Sequence, residues 1–252
     1  MLDENINQRI NVGIVDEPND LSKRGEDTLK IQDHANALTT YIKNTATPMT
    51  IGIQGEWGSG KTSLLNSIHY ALETDQKYQQ IWINAWENSL LSTPEESLLK
   101  IINEIISSML QADTTVKNKD NIKNTVTKLF KGGLRIGATI AAGSEGKKLA
   151  EELWGKDTNS IKILRQHLID ISKAIKEGGS NPYEKIIIYV DDLDRIDPPD
   201  AVRILELLKN IFSIPNCVFI LAIDYQVVVK GLESKFGKRT EENEWEFRAF
   251  FS

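Results

Sequence analysis

The sequence predicts an α/β domain built around a parallel β-sheet. Three short apolar runs support this prediction, because each has the length of a buried strand and each ends in a glycine-rich turn or in acidic residues. They cover residues 49–54, 185–190 and 218–223. Segments with apolar residues at helical spacing separate the runs, as in strand–helix–strand units. We therefore expect a three-layer domain in which helices cover both faces of the sheet.

Composition and charge are those of an ordinary soluble globular chain. Of the 252 residues, 40% are hydrophobic and 26% are charged, which suffices for one large domain. The net charge of −6 argues against general electrostatic binding to nucleic acid or acidic lipid. Residues 1–9 lack the apolar core of a secretory signal, and the single cysteine, Cys217, is expected to pack as a small hydrophobe. A cytoplasmic location is the expectation.

The first strand leads into a glycine-rich turn that matches the phosphate-binding pattern G-x-x-x-x-G-K-[ST]. Its glycines let backbone amides wrap a phosphate, and the following helix directs its free N–H groups at the same anion. Lys61 can reach the β- and γ-phosphates, and Thr62 offers a hydroxyl to Mg²⁺. The turn therefore predicts a site for a magnesium-bound nucleoside triphosphate. The predicted nucleotide-binding residues are Gly55, Glu56, Trp57, Gly58, Ser59, Gly60, Lys61, Thr62 and Ser63.

The segments before this strand are predicted to be an arm and a helix. Residues 1–26 are polar and read as an N-terminal arm, so the domain is expected to occupy residues 27–252. Residues 27–43 have helical spacing, and the helix ends before Pro48. In nucleotide-binding domains such a helix often lines the base pocket. The alternative is a helix that only covers the sheet.

A second strand is predicted over residues 80–86, with Asn84 near its carboxyl end. Asn84 is a candidate to orient water or contact the γ-phosphate, or else it caps the loop that follows. The next helix begins with a capping box, since Thr93 can cap it, Pro94 fits its first turn and Glu96 can reach back to the cap.

Residues 113–156 are predicted to be a helical insertion that is more basic than the rest of the chain. Its apolar run, residues 132–143, is much shorter than the roughly 20 residues of a membrane span and contains Arg135. No membrane span is therefore expected. The insertion either packs on the domain as a helical hairpin or docks on a partner, a lipid surface or nucleic acid.

A further helix is predicted over residues 159–176, followed by a strand that ends in paired acids. Asp191 would hold Mg²⁺ together with Thr62, and Asp192 is the candidate to orient or deprotonate the attacking water. An acid that activates water favours hydrolysis over phosphoryl transfer to a bound metabolite.

Two more candidate residues follow. Arg195 either reaches the γ-phosphate of a neighbouring subunit or pairs locally with Asp194 or Asp197. Asp224 ends the strand 218–223, at a position that senses the γ-phosphate, through water or metal, in hydrolases of this layout. Helices are predicted after Asp197, over residues 225–236, and over residues 241–250.

Four motifs together resemble those of the KAP family of P-loop NTPases. They are GEWGSGKTSLLN at 55–66, WINAW at 82–86, DDLDR at 191–195 and LAID at 221–224. The resemblance covers nearly all of residues 27–252. It implies a parallel sheet of order 5-1-4-3-2, with an additional strand between the two nucleotide-binding strands, and ATP as the nucleotide. It also implies a regulatory ATPase, and bacterial members are associated with phage exclusion and defence.

The family layout also places a fifth strand beside the first, whereas this chain stops at Ser252. We expect a truncated chain that lacks this strand, with self-association or an effector protein acting through the missing C-terminal region. The expected function is slow ATP hydrolysis coupled to a change in conformation or assembly. The alternatives are an ATP-binding signalling module without hydrolysis, and an ATPase stimulated by nucleic acid bound along residues 117–135.

Overall fold

The computed structural model describes residues 31–112, 158–177, 183–209 and 211–250. Four strands alternate with helices along these ranges, as the sequence predicts. The strands are β1 (Met49–Gln54), β2 (Tyr78–Asn84), β3 (Lys185–Asp191) and β4 (Cys217–Ile223). The helices are α1 (Ile31–Asn44), α2 (Lys61–Glu73), α3 (Ala85–Ser89), α4 (Pro94–Ala112), α5 (Thr158–Glu177), α6 (Pro198–Leu208), α7 (Tyr225–Phe236) and α8 (Glu244–Phe250), and a 3-10 helix covers Leu193–Arg195.

The four strands form one parallel sheet in the order β1-β4-β3-β2. This order confirms the predicted α/β fold class, in which an additional strand separates the strand of the glycine-rich turn from the strand of the paired acids. In register, Gln54 is opposite Ile223, and Asn84 is opposite Asp191. The carboxyl ends of all four strands therefore lie along one edge of the sheet, where α/β proteins place their ligands.

The core has two parts, one on each face of the sheet, which confirms the three-layer arrangement. Alternate residues of β3 enter different parts: Ile186 and Ile188 pack in the larger one, whereas Ile187 and Tyr189 pack in the smaller one. The larger part also contains apolar residues of α4 to α8, and the smaller part contains those of α1 and α2. A central strand covered on both faces must be apolar at every position, which explains the unbroken run in the sequence.

The predicted second strand is displaced in the structure. It was expected over residues 80–86, but β2 starts at Tyr78 and ends at Asn84. The strand ends there because the side chain of Asn84 accepts a hydrogen bond from Glu87 N, at 3.0 Å, and so begins helix α3. Trp86 accordingly lies on α3 and not on a strand.

The last helix is shorter than predicted, starting at Glu244 and not at residue 241. Asn243 holds the preceding residues in a loop, because its side chain accepts from Thr240 N at 2.7 Å and donates to Lys238 O at 3.0 Å. The predicted capping box of α4 is confirmed. Glu96 accepts from Thr93 N at 2.9 Å, and Glu96 N donates to Thr93 Oγ1 at 3.3 Å.

The predicted arm, residues 1–26, and the predicted insertion, residues 113–156, lie outside the described residues. Cys217 is buried and unpaired, as expected. In the ranges that the structure describes, no helix combines the length and the apolar character needed to cross a bilayer.

Candidate functional site

The glycine-rich turn connects β1 to α2 at the carboxyl edge of the sheet. Gly58 and Gly60 have φ values of 78° and 87°, which side chains other than glycine rarely adopt. Helix α2 begins at Lys61, directly after the turn, so its first N–H groups face the same space as the turn. This geometry is that of a phosphate-binding loop. Trp57 projects outward from the turn, with 70% of its surface exposed, and Ser63 is buried in the first turn of α2.

Lys61 lies inside the turn, with only 8% of its side chain exposed. Its Nζ donates to Gly55 O at 2.9 Å and to Glu56 O at 3.0 Å. The same Nζ lies 2.8 Å from Oδ2 of Asp194, whose side chain is 6% exposed. An ammonium group has three donors, so these contacts use all of them.

Thr62 and Asp191 are in direct contact. The Thr62 hydroxyl donates to the Asp191 carboxylate, which also accepts from Asp192 N at 2.9 Å. Burial raises the pKa of Asp191, and these two hydrogen bonds offset only part of that increase. The contact brings together the two residues that the sequence assigned to one magnesium ion.

A magnesium ion at this position would need further ligands. In the described ranges, no group of three or more histidine, cysteine, aspartate or glutamate side chains is arranged to hold a metal. A metal held by Thr62 and Asp191 would therefore complete its shell with water and phosphate oxygens. Mg²⁺ commonly binds in this way, because it gives up its hydration reluctantly.

Asp192, the carboxylate predicted to orient or deprotonate the attacking water, accepts from two donors that belong to different elements. Arg195 Nε lies 2.7 Å from its Oδ1, and Asn84 Nδ2 donates to its Oδ2 at 3.0 Å. Asp192 has a left-handed backbone, with φ 60°, directly before the 3-10 helix. The consecutive acids consequently have different partners, since Asp191 contacts α2 whereas Asp192 contacts the end of β2.

Asn84 makes the capping contact that the sequence offered as one alternative, and it also contacts Asp192, which the sequence did not predict. Its contact with water or the γ-phosphate stays a prediction. Its Oδ1 accepts from Glu87 N and caps α3, while its Nδ2 donates to Asp192. One side chain thus begins a helix and positions an acid.

The local partner predicted for Arg195 is wrong. The sequence left two alternatives for Arg195, the γ-phosphate of a neighbouring subunit or a local pair with Asp194 or Asp197. The local partner in the structure is Asp192, and the Arg195 guanidinium lies 5.8 Å from the ring centroid of Trp86. Asp194 contacts Lys61 instead. Asp194 was not among the predicted site residues. The sequence shows it only as the third acidic residue of the run DDLDR, and that pattern does not identify Lys61 as its partner.

Asp224 lies at the end of β4, next to the start of the turn, where Gly55 N donates to Ile223 O at 3.2 Å. Its carboxylate caps α7 by accepting from Gln226 N at 2.8 Å. Asp224 also lines a small cavity together with Asp194. Asp224 therefore lies at the edge of the site, and the hydrogen bond of its side chain stabilises the start of α7.

Comparisons with known proteins agree with this geometry. A sequence profile described as the KAP family P-loop domain matches residues 32–251. The chain is also similar to a phage T7 exclusion protein of Escherichia coli strain K12, with 25% identity over 215 residues. The match covers 73% of this chain and 27% of that protein, so the chain spans about a quarter of its relative's length.

Proposed function

The chain belongs to the KAP family of P-loop domains, and from this premise we propose that it binds ATP with Mg²⁺ and hydrolyses the nucleotide slowly, as a regulatory domain. The observation that carries the proposal is the contact between Thr62 and Asp191, next to Lys61 in the same turn. This arrangement provides a cation, a hydroxyl, a carboxylate and the N-terminus of a helix around one space.

In the proposed reaction, the turn and the first N–H groups of α2 bind the phosphates, and Lys61 adds a positive charge near the γ-phosphate. Thr62 and Asp191 hold the hydrated Mg²⁺, which supplies charge neutralisation on the phosphate oxygens when bound. Asp192 orients the attacking water. Each of its carboxylate oxygens has two lone-pair positions, and Arg195 and Asn84 use one each, so a position remains for water.

Lys61→Ala and Asp192→Asn separate binding from hydrolysis. We predict that Lys61→Ala abolishes binding of the fluorescent analogue mant-ATP, because the turn loses its cation. Asp192→Asn should bind mant-ATP as the wild type does and lose phosphate release by about a hundredfold or more, as for other groups that act on the reacting water.

Asp197→Asn is the matched control, since it removes an acid from the same segment away from these contacts. If Asp192→Asn releases phosphate as fast as the wild type, Asp192 has no role in turnover.

An ATP-binding module that does not hydrolyse is the second candidate. One observation favours it: all three donors of Lys61 are used by protein partners, so Lys61 cannot bind a phosphate without rearrangement. Phosphate release followed over hours distinguishes the two functions. Release by the wild type that is no faster than release by Lys61→Ala would support the binding module.

We extend the proposal to phage exclusion, coupled to a change in conformation or assembly. The likeness to the Escherichia coli phage T7 exclusion protein supports this extension. A comparison of phage plating on cells that express the wild type or Lys61→Ala tests it, in the context of the full-length protein. Equal plating on both would remove the nucleotide site from any such role.

A further inference from the structure

We propose that Asp194 is an internal anion that competes with the phosphates of the nucleotide for Lys61, and that it thereby sets the affinity of the domain for nucleotide. This inference rests on the proposed function, because it assumes that Lys61 binds phosphate. It assigns to Asp194 a positioning role, since Asp194 acts through Lys61 and not on the nucleotide itself.

Lys61 has no donor left for a phosphate. All three are used, by Gly55 O, Glu56 O and Asp194 Oδ2, at distances of 2.8 to 3.0 Å. A phosphate oxygen can therefore reach the ammonium group only if one of these acceptors leaves. The two carbonyls belong to the turn that wraps the phosphate, whereas Asp194 comes from a different segment of the chain.

The negative charges of Asp194 and of a bound phosphate oppose each other at Lys61. A carboxylate and a phosphate are both anions that accept charge-assisted hydrogen bonds, so a phosphate can replace Asp194 on Lys61 without loss of ion pairing at the lysine. The replaced carboxylate is then a buried anion without its cation, close to a phosphate of the same sign. Both consequences disfavour the bound state. Asp194 consequently weakens nucleotide binding in proportion to the strength of its own contact with Lys61.

The 3-10 helix that carries Asp194 also contacts Asp192. Asp194 is the middle residue of the 3-10 helix Leu193–Arg195. Arg195 of the same helix forms an ion pair with Asp192. A displacement of the backbone at Asp194 would therefore also move Arg195. In that case, capture of Lys61 by phosphate would alter the contact between Arg195 and Asp192.

Asp194→Asn tests the proposal, because it removes the charge and keeps the size of the side chain. With mant-ATP and Mg²⁺ as the probe, we expect the variant to bind about tenfold more tightly than the wild type, as when a competing arrangement of a site is removed. Before nucleotide is added, the variant should melt at a lower temperature than the wild type, because Lys61 has lost its charged partner. A purely structural role would lower stability and affinity together.

Two further variants sharpen the test. Asp197→Asn removes one negative charge three residues after Asp194 and should leave the affinity for mant-ATP unchanged. That result would show that the tighter binding by Asp194→Asn is not due to reduced general repulsion of the anionic probe. Asp194→Glu keeps a carboxylate in reach of Lys61 and should return the affinity toward that of the wild type. If Asp194→Asn does not fold, Asp194→Ser, which leaves room for a water in place of the carboxylate, is judged by the same criterion.

The outcomes separate this inference from the proposed function. Tighter binding by the Asp194 variant than by both the wild type and Asp197→Asn supports it. Binding by the Asp194 variant that equals or falls below that of the wild type overturns it and leaves the proposed function intact. Absence of binding by the wild type, Asp194→Asn and Asp197→Asn alike overturns the proposed function, and this inference with it.

Discussion

The phosphate-binding turn leaves little room around Gly55. A side-chain carbon built on Gly55 would lie 2.2 Å from Ser59 Oγ, which is closer than real Cβ atoms approach, and 3.1 Å from Ser59 Cβ, which is tighter than most such contacts. The backbone of Gly55 is also tied to β4 by its hydrogen bond to Ile223 O. A side chain at residue 55 would therefore require Ser59 to move within the turn.

Gly55→Ala should consequently weaken mant-ATP binding by about tenfold or more, since overpacking costs about 1–3 kcal/mol and 1.4 kcal/mol corresponds to one decade. The added substitution Ser59→Gly removes both close contacts, and the double variant should recover most of the affinity. Fluorescence titration measures all three proteins. A double variant as weak as Gly55→Ala would mean that steric room at residue 55 is not the reason.

Single residues also mark the limit of prediction from the sequence. The nucleotide-binding turn is recognisable because its residues are consecutive and their spacing carries the chemistry. The contact of Asn84 with Asp192 joins residues 108 positions apart, and the contact of Lys61 with Asp194 likewise crosses the domain. Local spacing contains no information about such pairs. The sequence therefore left two alternatives for Asn84 and assigned no role to Asp194.

Between elements, the packing of α6 against α7 depends on Gly231. A side-chain carbon there would lie 2.2 Å from Pro198 O and 2.5 Å from Val202 Cγ2, so the two helices approach too closely for any side chain. Glycine in a helix normally costs about 0.5–1 kcal/mol relative to alanine. The close approach reverses this preference at residue 231.

We therefore predict that Gly231→Ala lowers the free energy of unfolding by about 1–3 kcal/mol, as overpacking does. For a chain of this size each kcal/mol lowers the melting temperature by about 2–4 °C. Gly52→Ala is the control, because its nearest neighbour would be Ile223 Cδ1 at an ordinary 3.6 Å. Scanning calorimetry compares the two variants, and a Gly231→Ala protein that melts at or above the wild-type temperature would exclude the packing argument.

Element boundaries were predictable where one residue or motif determines them. The capping box places the start of α4, and the apolar runs place β3 and β4 to within one residue. The end of β2 was not predictable, because Asn84 suits both the last position of a strand and the cap of a helix. The carboxyl end of α1 was predicted to within one residue, at 43 against Asn44. Nζ of Lys185 in β3 donates to the carbonyls of Ile42, Lys43 and Thr45 there, and this contact exists only after folding.

In the whole molecule, the parallel sheet assembles the candidate site. Register places Gln54, Asn84, Asp191 and Ile223 at the ends of their strands along one edge, although they come from distant parts of the chain. Periodicity of apolar residues predicts that the strands are buried, but it does not give their order. The order was expected only through the resemblance to the KAP family, and the insertion of β4 between β1 and β3 agrees with it.

The same arrangement limits what the chain can do alone. In the proposed function, Thr62 and Asp191 hold the metal, so nucleotide and water must provide its other ligands. Metal and nucleotide are therefore expected to bind together. This coupling is the central claim of the proposed function, and it requires that two segments far apart in sequence share one ion.

Titration of the wild type and Asp191→Asn with mant-ATP, in Mg²⁺ and then in EDTA, tests this claim most directly. We predict that Mg²⁺ tightens binding by the wild type about tenfold, or about 1.4 kcal/mol, and that Asp191→Asn loses this difference. The variant should melt at or above the wild-type temperature, because burial raises the pKa of Asp191 and its charge therefore disfavours folding near neutral pH. An undiminished effect of Mg²⁺ on a folded Asp191→Asn protein would contradict the account.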